Sequence, residues 1–149
     1  SPAVQRAIDA EVAAGLHDLA TYRAFAERVR SNAEALRKVL MGLKADGKRV
    51  FALGAPVKGN TLLNYARITS ELIEKVTEVN QFKIGRMTPG THIPIVDERM
   101  AGDPPDYYLV LSWNFLDYFI SKYKEFLMRG GKFIVPVPQV RILGFEVPE

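Results

Sequence analysis

Between Leu19 and Leu43 the apolar positions Leu19, Tyr22, Phe25, Ala26, Val29, Ala33, Leu36, Val39, Leu40 and Leu43 fall three or four residues apart. That spacing lines one face of an amphipathic helix. The helical pattern starts earlier, near Val4, and Gly15 divides a short first helix from a long second one. Gly47, after Asp46, supplies a stop. Two uses of the face are compatible: packing on the domain that follows, which we favour, and reaching toward a preceding domain. After Gly47 the pattern changes. Short apolar runs, RVFAL (49–53), KVTEV (75–79), IPIV (93–96), YYLVLS (107–112) and KFIVPV (132–137), read as strands, with VRILGF (140–145) as one more. Helices are expected over 60–68 and 115–128, the latter ended by Gly130-Gly131, with a helical turn at DERMAG.

Strands separated by helices imply β-α-β units, a parallel sheet and right-handed crossovers. Near-continuous apolar strands suit a sheet covered on both faces. The expected fold is therefore α/β: a Rossmann-like three-layer α/β/α domain over 48–149, preceded by a helical segment over 1–47. The expected strand order is 3-2-1-4-5, with IPIV as a weak edge strand. Ligands in such sheets bind beyond the carboxyl ends of the strands, where strand order reverses. That point lies between the strands ending at Leu53 and Ser112.

Composition narrows the class. The chain has 149 residues, 48% apolar, enough for one domain with a filled core. Without cysteine there is no disulfide, no thiolate zinc site and no Cys nucleophile. No apolar run approaches the roughly 20 residues of a membrane span. No signal peptide is visible, and the absence of cysteine leads to the expectation of a cytoplasmic location. Net charge is +3, but the cations are interleaved with acids, not gathered in the stripe that nucleic acid requires. A small anionic ligand fits better. The sequence opens on Ser1 and enters a helical pattern at once, which reads as a piece of a longer polypeptide.

The loops at the expected crevice hold the unusual residues. Residues 54–61 read GAPVKGNT. Gly54 and Gly59 have the spacing of a P-loop, yet Asn60 and Thr61 stand where Lys and Ser or Thr belong, and G-x-G-x-x-G does not fit either. Gly54 permits a sharp turn. Gly59 permits either close approach of a ligand or close packing of helix on strand. The helix start near Asn60 favours an anion, and Lys58 adds a charge. Glu78 ends the second strand at about the spacing of the acid that holds ribose hydroxyls in dinucleotide folds. The long loop from Asn80 to His92 carries Lys83 and Arg86, either able to meet phosphate, and His92, either a ligand or an ordinary exposed side chain. Trp113 and Asn114 follow the strand YYLVLS, as packing and helix cap or as the second wall of the crevice. The two histidines, His17 and His92, lack ligand spacing, so no metal site is expected.

Four ordered blocks now meet: GAPVKGNTLLNY at 54–65, the Lys83 segment leading to MTPGTHIPI at 87–95, PDYYLVLSWNF at 105–115 and GGKFIVPVP at 130–138. Together they resemble the C-terminal domain of the S-adenosylmethionine-dependent C-methyltransferases, whose best understood members act on nucleotide-linked deoxysugars. The resemblance covers nearly the whole chain. It implies an enzyme of three parts, with a zinc-binding segment, a middle domain for the methyl donor and this domain closing the acceptor cleft. It further implies that S-adenosylmethionine and the acid–base residues belong to the middle domain. This fragment would then hold no cofactor, contribute no catalytic residue and be inactive alone. Its partners would be a nucleotide-sugar or related anionic small molecule and the preceding methyl-donor domain. Lys58, Asn60, Thr61, Lys83, His92, Trp113 and Asn114 are expected to line its side of the cleft, with Gly54, Gly59, Glu78 and Arg86 beside them. Three departures bear on the acceptor's identity. Glu78 stands where Asp is expected, no acid faces the cleft near Tyr118, and LSWNF lacks the usual Pro before Trp. Two other readings are a free-standing module for NAD or coenzyme A and a helix-mediated interaction domain.

Overall fold

A computed structural model describes residues 1–145. They form two compact units that divide between Ser31 and Asn32, inside the second helix. The first unit holds α1 (Pro2–Ala13) and the amino-terminal part of α2 (Leu19–Ala45). Pro2 opens α1, where a missing N–H costs nothing. Gly15 separates the helices with φ of 70°, a left-handed conformation that glycine adopts without strain.

The second unit is an α/β domain. Its sheet contains β1 (Val50–Leu53), β2 (Lys75–Glu78), β3 (Ile95–Asp97), β4 (Tyr107–Val110), β5 (Lys132–Val135) and β6 (Arg141–Leu143). The order is β3-β2-β1-β4-β5-β6. The first five run parallel, and β6 pairs antiparallel with β5. The expected order holds, and VRILGF supplies the sixth strand. Strand order reverses between β1 and β4, which pair Phe51 with Tyr108 and Leu53 with Val110.

Because strand side chains alternate, the sheet feeds two cores. Val50 and Ala52 of β1, with Leu109, face Leu36 and Leu40 of α2 and Leu63 of α3 (Val57–Tyr65). Phe51 and Leu53, with Tyr108 and Phe133, face the opposite layer. That layer is α4 (Leu116–Lys122) and α5 (Lys124–Met128), which contribute Phe119 and Leu127. The helix expected over 115–128 is therefore broken. It starts as a 3-10 turn at Trp113–Phe115 and breaks at Tyr123, whose ring packs against Tyr108 with centroids 5.2 Å apart. A second 3-10 turn, Glu98–Met100, is the DERMAG turn.

A further polar tie lies beyond β5. Asn32 of α2 donates from Nδ2 to Pro136 O at 2.7 Å and accepts the Val140 N–H at 2.8 Å. Both bonds seat the β5–β6 connection. Asn32→Ala is expected to cost about 1–2 kcal/mol, near 1 for each net hydrogen bond. Urea titration checks it, with the midpoint lowered and the slope unchanged.

Candidate functional site

The loop after β1 explains its own glycines. Gly54 has φ of 77°, and a Cβ there would sit 2.5 Å from Ser112 Oγ. At Gly59 a Cβ would sit 2.8 Å from Leu111 Cβ and 3.1 Å from Pro56 Cγ. The spacing therefore lets α3 lie directly on β4 and lets the β1 turn lie on Ser112. Of the two roles open to Gly59, helix–strand packing is the one the structure carries.

Glu78 fastens this loop to β2. Its Oε2 accepts the Ala55 N–H at 2.9 Å, and its Oε1 accepts those of Val79 at 2.8 Å and Asn80 at 3.1 Å. Lys83 Nζ lies 3.6 Å from Oε2 and donates to Ala55 O at 2.8 Å. Burial pushes the Glu78 carboxyl up, but the backbone donors of Ala55, Asn80 and Val79, together with Lys83, outweigh it and hold the group below its ordinary range. The side chain is 10% exposed. Most of its acceptor capacity is thus spent on the protein's own backbone.

Lys58 ties the same loop to the far wall. Its ammonium donates to Asn114 Oδ1 and stands 4.6 Å from the Trp113 ring centroid. The bridge spans the reversal point of the sheet. Asn114 caps no helix: it lies inside the 3-10 turn, whose cap position is Ser112.

A cavity lies on either side of the Ala55–Glu78–Lys83 tie. The first, about 420 Å³, opens beyond the ends of β1, β2 and β4. Gly54, Glu78 and Lys83 line it, with Ser112 beneath. Its opposite wall is Phe115, Tyr118, Phe119 and Lys122, and Glu98 pairs with Lys122 at 2.6 Å. The second, about 360 Å³, lies on the α3 side, with Asn60, Lys83, Arg86, Met87 and Leu111 among its walls. Asn60 Oδ1 is buried without a hydrogen-bond partner among the described residues. Pro56 and Lys83 belong to both cavities.

The expected site residues thus fall into three groups. Gly54, Glu78 and Lys83 meet in the first cavity. Asn60, Lys83 and Arg86 meet in the second. Lys58, Trp113 and Asn114 form the bridge. Gly59 packs beneath the loop, outside both cavities. Thr61 bonds back to Val57 O within α3. His92 is exposed at φ of 52°, in the turn that the Thr88–Thr91 hydroxyl pair closes, and lines neither cavity. Glu98, Phe115, Tyr118, Phe119 and Lys122 line the first cavity without being expected from the sequence. The last four carry a signal: residues 115, 118, 119 and 122 follow helical spacing and put Phe, Tyr, Phe and Lys on one face.

The profile of the C-methyltransferase C-terminal domain matches residues 1–138. The chain is similar to the C-methyltransferase NovU of Streptomyces niveus, 40% identical across an alignment 149 positions long that covers 97% of this chain. The alignment covers 35% of that relative, so the chain spans about a third of the length of the curated protein it matches. Matched from its first helix through β5, by both profile and relative, the chain belongs to the C-methyltransferase C-terminal domain family.

Proposed function

We propose that the carboxyl edge of this sheet is one wall of the acceptor cleft of an S-adenosylmethionine-dependent C-methyltransferase. The acceptor is a nucleotide-linked sugar or a related anionic small molecule. The methyl donor and the acid–base residues belong to a preceding domain. The observation that carries this reading is the rim of the edge. Val57 and Phe82, in the segments that follow β1 and β2, are 85% and 86% exposed, and Val79, Met87, Phe115 and Tyr118, which line the two cavities, are exposed too. Apolar side chains gathered at one edge around charged cavities mark a surface that another surface covers.

The loop chemistry supports placing the donor elsewhere. A dinucleotide-like donor site needs a glycine cradle open to the ligand and a free acid for the ribose. Here the space beside the glycines is taken by Ser112, Leu111 and Pro56, and three of the Glu78 carboxylate's acceptor positions are already held by backbone donors. The residues present do not fit S-adenosylmethionine at this turn, and the same argument disfavours NAD or coenzyme A. Methylation beside a ketone removes a proton from carbon, forms an enolate and moves a methyl group from sulfonium sulfur to that carbon. The two reactants must be held in line, which a two-walled cleft does.

In this reading Lys83 holds one ammonium proton toward Ala55 O and keeps donors for acceptor phosphate, with Arg86 beside it. Lys58, Trp113 and Asn114 bridge the two walls of the acceptor cleft, and Phe115 and Tyr118 lie along the acceptor. Lys58→Ala and Lys83→Ala, made in the full-length enzyme, are expected to weaken acceptor binding about tenfold each, roughly 1.4 kcal/mol. Donor affinity stays unchanged. Calorimetric titration with dTDP and S-adenosylmethionine checks this, and normal acceptor binding in both variants would remove the cleft assignment.

A further inference from the structure

The first compact unit has an unexplained surface. α1 has no buried residue. Its Val4, Ile8 and Val12 stand four residues apart, on one stripe, and all are exposed. On α2 the spaced positions Tyr22, Phe25 and Val29 are exposed too, whereas Ala33, Leu36 and Leu40 of the same series are buried, with Val39 and Leu43 half-buried. A helix of this length with no buried face is marginal in water. Two apolar stripes in one small helical unit therefore imply a covering partner.

The polar residues between the stripes narrow the choice. They carry both signs: Arg6, Asp9 and Glu11 on α1, and Arg23, Glu27, Arg28 and Arg30 on α2. A helix lying on anionic lipid needs a basic polar face, so a protein surface fits better. The family profile begins at residue 1, so this helical arm is part of a C-terminal domain, not an appendage to it. The relative is nearly three times as long as the match. A segment tethered in the same chain meets the arm at high effective concentration, an advantage a second copy lacks.

We propose that the stripes of α1 and the first half of α2 seat the segment that precedes this domain in the full C-methyltransferase chain. The proposal rests on the reading above that such a segment exists. It adds a second contact, distinct from the carboxyl-edge rim, so that the preceding domain would be gripped by the arm as well as across the cleft.

Hydrogen exchange read by mass spectrometry, on the 149-residue chain and on the full-length enzyme, tests it. Amides of residues 3–29 are expected to exchange at least tenfold more slowly in the full-length enzyme. Ile8→Glu with Phe25→Glu, both at exposed positions, should restore fast exchange there while β1 and β4 remain protected. Equal rates in the two proteins would overturn the docking and leave the cleft reading standing. Equal protection in a dimeric 149-residue chain that the double substitution makes monomeric would assign the stripes to a second copy instead. A natural chain with nothing upstream of these residues would remove both readings together.

Discussion

Glu78→Ala is expected to lower stability by about 2–4 kcal/mol and to loosen the loop after β1. Three backbone N–H groups lose their acceptor and Lys83 loses its counterion. Each stranded buried donor costs about 1–3 kcal/mol, and water entering the adjacent cavity recovers part of that. Glu78→Gln separates charge from hydrogen bonding. If its oxygen faces Val79 and Asn80, its amide N–H groups face the Ala55 N–H, so the loop still loses its tether. The pH dependence carries a definite sign. The folded-state carboxyl is held below its unfolded value of about 4.3, so its contribution is fully present above that pH. It is lost as pH falls through the folded value. Chemical denaturation between pH 7 and pH 3 should therefore show a shallower acid decline for Glu78→Gln than for the parent. An identical decline would mean that Glu78 is not the anchor.

Gly59→Ala, although it favours helix, is expected to destabilise by up to about 2 kcal/mol net. Alanine is worth about 1 kcal/mol over glycine inside a helix. Against that, the new methyl would meet Leu111 Cβ and Pro56 at distances real Cβ atoms avoid. Both neighbours are held, Leu111 in the core behind β4 and Pro56 at the start of α3, so α3 must move. Overpacking of this kind costs about 1–3 kcal/mol and here shifts a whole helix. Thermal unfolding checks it. A stability gain of about 1 kcal/mol, the propensity value, would mean that α3 floats free of β4. Gly54→Ala offers a comparison in which the obstacle is the Ser112 hydroxyl, so adding Ser112→Ala should recover part of its loss.

The sheet was legible because its strands are continuous apolar runs, and continuous runs mean burial on both faces. β3 was placed two residues early. Pro94 has no N–H to give a ladder, and pairing with β2 starts only at Ile95. α3 starts at Val57, ahead of Asn60, because Pro56 suits the entry to a helix and the loop glycine at position 59 lies inside it. The break at Tyr123 carries no local sign, since FLDYFISKYKEFLM is helical throughout by spacing. It follows from where the Tyr123 ring packs. The site was legible as a set of loops but not as partnerships. That Glu78 reaches back to Ala55, or that Lys58 crosses to Asn114, depends on which strands are neighbours and how tightly the loops stack. Residue type and spacing along the chain do not encode that.

Under the cleft reading proposed above, the shared ownership of Pro56 and Lys83 by two cavities has a consequence for altering acceptor preference. The partition between them is a single thickness of loop, held by one carboxylate. A substitution that enlarges one chamber moves the wall of the other. Changes selected in the two chambers will therefore show epistasis, and libraries that vary Phe115 and Tyr118 separately from Arg86 and Met87 will miss the combinations that work.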